Sequence, residues 1–322
     1  MKSPVFLLSL PRSGSTLLQR VLMGHSQIAS VAEPWILLPF LYAGRTEGVL
    51  AEYSHANACK AHKDFVNNLP GKTRDYYSIL HDFLMTLYSY QCKNNELFFL
   101  DKTPRYHLII PEITMLFPEA KFVFLFRNPV HVMGSVMRTW GDGGFRKNYA
   151  YENDLYEGPM NLSEGFRILK DRAYALRYED FVNAPERYTR EICDYLGLCY
   201  EQGMLEGFSS RNPKGRMGDP TGVLEYSEVE TGALNKWRET FNNGFRKKIL
   251  RKYLASLDSD DLLLMGYDRC SILHDIARLP GGPSGVVRDA LDYGIGRVIK
   301  KLKLNIWFGR KTGPWAGDSF LS

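Results

Sequence analysis

The first twenty residues constrain the fold of this chain more than any other stretch. Val5–Leu10 is an apolar run that predicts a buried strand, and Pro11–Gly14 has the composition of a tight turn. Apolar residues then recur at helical spacing over Leu17–Leu22, so a helix is expected to begin near Gly14. A strand, a glycine-containing turn and a helix N-terminus form an anion site, because the first helical N–H groups lack intrahelical partners and the helix dipole favours negative charge.

The side chains of this turn strengthen the prediction of an anion site. Arg12 supplies a full charge on a planar fork of donors that suits phosphate or sulfate, and serine and threonine hydroxyls add further donors. A strand–turn–helix with a merely solvated arginine is the structural alternative. The predicted phosphate-binding loop consists of Arg12, Ser13, Gly14, Ser15, Thr16 and Leu17.

The loop departs from the G-x-x-x-x-G-K-[ST] motif of nucleoside triphosphate-binding proteins. Ser9 stands in place of the first glycine and Ser15 in place of the lysine, whereas Gly14 and Thr16 fit the motif. The missing lysine is the cation that reaches the β- and γ-phosphates, and Arg12 places a cation three residues earlier. The expected ligand is therefore a nucleotide with a different terminal group.

The segment P-R-S-G-S-T-L-L after an N-terminal strand resembles the 5′-phosphosulfate loop of sulfotransferases that use 3′-phosphoadenosine-5′-phosphosulfate (PAPS). A second pair strengthens the resemblance. Arg127 follows the strongest predicted strand, Lys121–Phe126, and Ser135 lies eight residues later in the next helix. This spacing is similar to the signature that binds the 3′-phosphate of PAPS in that family. Arg138 is expected to add charge there.

The order of the predicted elements agrees with the fold that the resemblance implies. Strands alternate with helices along the chain, which indicates a mostly parallel sheet with ligands at the carboxyl ends of its strands. We expect an α/β protein with a P-loop NTPase-like three-layer fold, its central sheet flanked by helices. Three segments are predicted to be irregular: an insertion over 44–75 with at most a short helix, a mobile loop over 141–158 and a long loop over 207–232.

Two residues are the candidates for catalysis beside Arg12. Glu33 lies twenty-one residues after Arg12, and a glutamate at about this distance is the base in tyrosylprotein and heparan-type sulfotransferases. An alcohol needs such a base, because it is a poor nucleophile until its proton is removed. Lys102 follows a predicted strand and is expected to stabilise charge on the leaving phosphate. Pro104 occupies the position where cytosolic sulfotransferases carry a catalytic histidine, and K-T-P-x-Y resembles the heparan type.

Three further segments have a looser resemblance to nucleotide-binding parts of the family. Tyr178 lies in a Tyr-Glu segment, Lys214 and Gly215 open a K-G-x-x-G-D segment (residues 214–219), and Lys236 precedes Trp237. Each is predicted to contact the nucleotide. The alternative for each is a surface loop or a core aromatic residue.

Composition limits the other possibilities. The net charge of +5 over 322 residues is too small to indicate nucleic-acid binding. Five scattered cysteines predict neither a disulfide framework nor a zinc site. We find no signal-peptide pattern and no long apolar run, and therefore expect a cytoplasmic protein. Two regions are predicted: a sulfotransferase domain over 1–270 and a basic, partly amphipathic extension over 271–322. The extension is either a peripheral membrane contact, a helix that caps the domain or an oligomer contact.

The expected activity is transfer of a sulfuryl group from PAPS to an acceptor hydroxyl, without a metal. The glutamate base and K-T-P-x-Y favour a hydroxyl on a carbohydrate or glycolipid. A tyrosine or small-molecule alcohol as acceptor stays open. So do a P-loop nucleotide kinase, which would depend on magnesium, and a non-catalytic nucleotide-binding protein. The oligomeric state is not evident from the sequence.

Overall fold

A computed structural model describes residues 1–215, 217–218 and 231–302 of the chain. Its centre is a five-stranded sheet in which every strand pair is parallel, with the spatial order β2-β3-β1-β4-β5. The predicted α/β fold with a mostly parallel sheet is confirmed. The strands are β1 (Ser3–Ser9), β2 (Ile28–Ser30), β3 (Phe98–Asp101), β4 (Lys121–Phe126) and β5 (Ala173–Arg177).

Helices cover both faces of the sheet and extend beyond its last strand. They are α1 (Ser15–Leu22), α2 (Leu37–Tyr42), α3 (His55–Asn67), α4 (Thr73–Gln91), α5 (Ile110–Leu116), α6 (Pro129–Thr139), α7 (Gly158–Leu169), α8 (Tyr178–Asn183), α9 (Pro185–Leu196), α10 (Lys236–Thr240), α11 (Gly244–Ser256), α12 (Ser259–Leu264), α13 (Arg269–Ala277) and α14 (Val286–Lys301).

The sheet separates two apolar cores, because successive residues of a strand point to opposite faces. In β1, Val5 and Leu7 lie in one core with Leu17 and Leu18 of α1. Phe6 lies in the other core, with Leu84 of α4 and Leu250 of α11. Both faces of β1 are buried, which explains why its sequence is a continuous apolar run rather than an alternating one.

Several boundaries predicted from the sequence were wrong. Residues 28–30, where the sequence predicts no strand, form the edge strand β2, which pairs with β3. The expected irregular insertion contains the thirteen-residue helix α3, capped by Ser54. The expected mobile loop over 141–158 contains two short helical turns, Asn148–Tyr151 and Asn153–Glu157, that lead into α7. Tertiary packing orders these segments, because Leu155 and Leu162 are buried in the core. Half of the long loop predicted over 207–232, namely residues 216 and 219–230, lies outside the described residues.

The last described helix, α14, is tied to the rest of the protein by a buried ion pair. Asp289 is buried and accepts from the Nε and Nη2 of Arg246 on α11 at 2.7 and 2.8 Å. Asn243 donates to the same carboxylate at 2.7 Å. The boundary at residue 271 stays a prediction, and residues 303–322 of the predicted extension lie outside the described residues. Among the helices that the structure describes, none combines the length and hydropathy that crossing a membrane requires.

Candidate active site

The carboxyl ends of the five strands bring the predicted functional residues to one edge of the sheet. Arg12 follows β1, Lys102 follows β3 directly and Arg127 follows β4 directly. Tyr178 comes immediately after β5, and Glu33 lies three residues beyond β2. Because all five strands are parallel, these ends lie side by side at the place where ligands bind in open α/β sheets.

The predicted phosphate loop has an unusual backbone that contacts residues from later strands. Gly14 has φ of +88°, and a Cβ there would lie 2.3 Å from the ring of Tyr178. Arg12 also has a positive φ, +66°, which is rare for a residue with a side chain. The Nη1 of Arg127 donates to the Arg12 carbonyl oxygen at 2.8 Å and thereby holds this conformation.

The two residues of the predicted 3′-phosphate signature lie against the phosphate loop. The Nε of Arg12 donates to the Ser135 hydroxyl at 3.3 Å, and the Arg12 guanidinium lies 5.6 Å from the ring centre of Trp140. The Arg127 guanidinium lies 4.4 Å from the ring centre of Tyr178. Two arginines, a serine and a helix N-terminus without a side-chain cap thus form a continuous region whose donors and charge suit an anion.

Glu33 and Lys102, the predicted catalytic pair, form a largely buried ion pair beside the loop. The side chains of Lys102 and Glu33 are 1% and 12% exposed, and their Nζ and Oε1 are 2.8 Å apart. Lys102 also donates to the Thr16 hydroxyl at 3.3 Å. The indole N–H of Trp35 donates to Glu33 Oε2 at 3.1 Å. The Lys102 ammonium contacts both the phosphate loop, at Thr16, and the Glu33 carboxylate. It can therefore stabilise negative charge at either place.

Asp101 is a buried residue whose role the sequence did not reveal. It accepts hydrogen bonds from the hydroxyls of Tyr88 at 2.7 Å, Tyr106 at 3.1 Å and Thr103 at 3.0 Å. Burial raises the pKa of Asp101 to about 6, and these hydrogen bonds oppose the rise. Thr103 in turn accepts from the Trp35 backbone N–H at 3.3 Å. Asp101 therefore fixes both the end of β3 before Lys102 and the segment after Glu33. A lone aspartate before a lysine carries no signal for this, because Tyr88 comes from another element, α4.

Glu179 is a second such residue, and it supports the segment that follows Arg127. It accepts from the Asn128 backbone N–H at 3.2 Å, from His131 Nδ1 at 3.2 Å and from the Tyr267 hydroxyl at 2.6 Å. His131 stacks on Trp237 of α10, with ring centres 5.0 Å apart. Burial raises the pKa of Glu179, but the hydrogen bonds from His131 and Tyr267 outweigh burial and hold the pKa at about 2. The position of Glu179 directly after Tyr178 was the one available signal in the sequence.

The lowered pKa of Glu179 predicts a pH dependence of stability. A carboxyl group whose pKa is lower in the folded protein stabilises it above the ordinary pKa, and this stabilisation is lost as pH falls from about 4.5 towards 2. We expect Glu179→Gln to lower the free energy of unfolding at neutral pH by about 2 kcal/mol and to flatten its pH dependence in that window. Urea unfolding across the acid range measures both effects. Glu206→Gln, at an exposed position, is the control. The prediction is contradicted if the free energy of unfolding depends equally on pH in the unmodified protein and in both variants.

The structure places the looser candidates as follows. The carbonyl oxygen of Lys214 accepts from the Ala32 backbone N–H at 2.9 Å, one residue before Glu33, and a Cβ on Gly215 would lie 2.7 Å from Ala32 Cβ. Lys236 begins α10, which packs against α6 through Trp237.

The two remaining candidates are Arg138 and Leu17. Arg138 is exposed in the last turn of α6, one turn beyond Ser135. The Leu17 side chain is buried in the core, and its backbone N–H donates to the Gly14 carbonyl oxygen at 3.1 Å.

A pocket of about 360 Å³ opens between these groups. Its position makes both the loop and the Glu33 carboxylate accessible to a bound molecule, which fits transfer between two ligands. The described lining residues are Pro11, Arg12, Gly14, Ser15, Thr16, Glu33, Trp35, Pro104, Arg105, Trp140, Tyr151, Met217 and Gly218.

Parts of the chain are similar in sequence to known proteins. The chain is 34% identical over 140 residues to nodulation protein NoeE of Sinorhizobium fredii, a match that covers 42% of this chain and 31% of that protein. It is 32% identical over 117 residues to the omega-hydroxy-beta-dihydromenaquinone-9 sulfotransferase Stf3 of Mycobacterium bovis, covering 31% of this chain and 29% of Stf3. The chain thus spans less than a third of the length of either relative.

A solved structure and a family model cover more of the chain. The structure of the sulfotransferase domain from the Synechococcus PCC 7002 olefin synthase superposes with a TM-score of 0.52 at 27% identity, over 74% of this chain and 89% of that domain. The sulfotransferase family model, Sulfotransfer_3, matches residues 4–202, which include the five strands except for Ser3, the first residue of β1. The chain belongs to the sulfotransferase family.

Proposed function

We propose that the protein transfers a sulfuryl group from PAPS to an acceptor hydroxyl. The observation that carries this proposal is the convergence of two arginine sites with a carboxylate–lysine pair at one edge of the sheet. Family membership supports it independently. A kinase has less support, because its motif requires a lysine where this chain has Ser15.

The donor set fits a nucleotide with phosphate groups at both its 5′ and 3′ positions. Arg12, the hydroxyls of Ser15 and Thr16 and the N–H groups at the start of α1 would hold the 5′-phosphosulfate. Arg127 and Ser135 would hold the 3′-phosphate. PAPS supplies the sulfuryl group that is transferred. No metal is invoked, because fixed cations from Arg12 and Lys102 surround the transfer position.

Glu33 is proposed as the base. Its carboxylate takes the proton of the acceptor hydroxyl as that oxygen forms a bond to sulfur, while the bond between sulfur and the bridging oxygen breaks and 3′,5′-adenosine bisphosphate leaves. The Trp35 indole N–H, bonded to Oε2, orients the carboxylate. Lys102 is 2.8 Å from Oε1 and must shift its contact towards the departing phosphate, which frees Glu33 and stabilises the new negative charge.

The acceptor is proposed to be a hydroxyl on a carbohydrate or glycolipid. K-T-P-x-Y over residues 102–106 supports this, through its resemblance to heparan-type enzymes. One relative is named as acting on a hydroxylated dihydromenaquinone, which is a lipid alcohol, and this favours acceptors with an apolar part. A tyrosine or a small-molecule alcohol is the alternative acceptor.

Calorimetric titration of 3′,5′-adenosine bisphosphate without magnesium tests the donor site. We expect micromolar binding that falls about 10- to 100-fold in Arg127→Ala, because a charged hydrogen-bond partner of phosphate is lost. Arg177→Ala is the matched control, since Arg177 ends the neighbouring strand and also lies over a tyrosine ring, that of Tyr267. Tight magnesium-dependent binding of ATP, with no binding of the bisphosphate, would instead establish a kinase.

We also propose that α14 contacts an anionic membrane surface. Arg288 flanks one side of an exposed apolar stripe on this helix, and Arg297 and Lys301 flank the other, as in helices that lie in a membrane interface. Exposure of this side of the helix fits its attachment through Asp289 on the opposite side. The stripe consists of Val287, Leu291, Ile295, Val298 and Leu302.

Sedimentation with lipid vesicles tests this contact. We expect binding to vesicles that contain phosphatidylglycerol and little binding to pure phosphatidylcholine, because the flanking cations need anionic headgroups. Leu291→Asp should abolish the binding, whereas Leu273→Asp, at an exposed leucine on α13, should not. A concentration-dependent dimer that Leu291→Asp dissociates, without vesicle binding, would show that a second copy covers the stripe instead.

A further inference from the structure

A second cavity, of about 410 Å³, adjoins the candidate active site. It shares Trp35 and Arg105 with the first pocket, so the two spaces meet at these side chains. Trp35 is also the residue that hydrogen-bonds the proposed base. A molecule whose hydroxyl reaches Glu33 therefore has a direct path into the second cavity. We call this cavity the acceptor groove; it is lined by Trp35, Leu38, Pro39, Tyr42, Gly48, Val49, Leu50, Arg105 and Leu108.

The walls of the acceptor groove are almost entirely apolar. Arg105 is the one charged residue among the described residues that line it. Leu50 and Val49 are 62% and 37% exposed, which leaves apolar surface in water beside a catalytic pocket. Nearby Arg45 does not change this character, because it is bonded to Glu112 and lies over the ring of Tyr42. Apolar surface that continues from a polar catalytic centre is typical of a ligand site.

Arg105 is held at the junction by a chain of buried groups. Its Nη2 lies 2.8 Å from Oδ2 of Asp154, which is 2% exposed. The Asn161 amide lies 3.2 Å from His107 Nδ1 and donates to it, so the His107 Nε2–H donates to Asp154 Oδ1 at 3.0 Å. His107 and Asn161 thereby fix the position of the Asp154 carboxylate. Arg105 keeps its remaining N–H groups at the boundary between a polar pocket and an apolar groove, where they can donate to a ligand oxygen.

We infer that the acceptor is an amphipathic alcohol with a lipid-like part. Its hydroxyl lies at Glu33, Arg105 donates to a neighbouring oxygen, and an alkyl chain or apolar ring fills the acceptor groove. This inference rests on the proposed sulfuryl transfer and narrows its acceptor class. An oligosaccharide without an apolar part would leave the leucine and valine side chains of the groove in water and gain nothing from them.

Binding of matched probes to the complex with 3′,5′-adenosine bisphosphate tests the inference. The probes are methyl glucoside, octyl glucoside and 1-octanol, each below its micelle or solubility limit. We expect octyl glucoside to bind about 60-fold more tightly than methyl glucoside if only three of its methylenes are buried, at about fourfold each. Arg105→Met should weaken both glucosides by similar factors, because it removes a donor to the polar part.

Leu50→Asp distinguishes the groove from non-specific binding. It should weaken octyl glucoside and 1-octanol about tenfold or more and leave methyl glucoside and bisphosphate binding unchanged. Leu263→Asp is the matched control, since Leu263 is a leucine on α12 that is 59% exposed. Failure of both octyl compounds to bind, or equal effects of the two aspartate variants, would overturn the inference. Loss of bisphosphate binding in the unmodified protein would instead show that the proposed function itself is wrong.

Discussion

Glu33→Gln is expected to lower kcat for sulfuryl transfer by about 10²- to 10⁴-fold, because glutamine cannot take the proton of the acceptor hydroxyl. Binding of 3′,5′-adenosine bisphosphate should change little, since the substituted side chain keeps its size and lies beside the predicted phosphate contacts. Single-turnover rates with PAPS and the best acceptor from a screen of alkyl glycosides measure the effect.

Glu112→Gln is the control for this variant. Glu112 also forms an ion pair, with Arg45, but it lies outside the pocket. A rate for Glu33→Gln within about threefold of the unmodified enzyme would exclude Glu33 as the base.

Lys102→Met is expected to lower kcat by about 10²- to 10³-fold, because it removes the cation proposed to stabilise the departing phosphate. The apolar side chain fits the site, where Lys102 is nearly fully buried. A donor with a more acidic leaving group should restore part of the rate of Lys102→Met, because such a group needs less stabilisation as it leaves. The rate of Glu33→Gln should not be restored in this way.

Lys121→Met is the control, since Lys121 is a lysine of the same sheet that lies near the ring of Tyr195, at the opposite end of the sheet. The variant with both Glu33→Gln and Lys102→Met should be less impaired than the product of the two single effects, because directly paired residues act as a unit. If the effect of the double variant equals the product of the two single effects, the ion pair between Glu33 and Lys102 does not contribute to catalysis.

The architecture was predictable where local sequence and tertiary structure agree. β1 and β4 are apolar runs buried on both faces, and Pro129 opens α6 where its missing N–H does no harm. The wrong predictions concern segments whose secondary structure depends on tertiary packing. β2 has only three residues and needs β3 to become a strand. The helical turns before α7 depend on buried Leu155, which no short-range pattern reveals.

The candidate site was predictable in its parts, although the connections between those parts were not. Motif spacing indicated Arg12, Lys102 and Arg127, and the structure places each after the end of a strand. Motif spacing could not indicate that Asp101 binds hydroxyls from α4 and from the turn after β3, or that Glu179 accepts from the Asn128 N–H. The partners of Glu179 lie far along the chain, and those of Asp101 come from separate elements, so no local motif reveals either residue.

The contact between Tyr178 and Gly14 has a consequence for the synthesis of this protein. A growing chain that has just completed α6 already contains the residues proposed to bind and activate the donor. It lacks β5 and the tyrosine ring that packs against the phosphate loop and lies beside Arg127. Contacts between such distant parts of a chain form late and slowly. We therefore expect donor binding only after the sheet is complete. The nucleotide would then stabilise completely folded molecules and not incomplete ones.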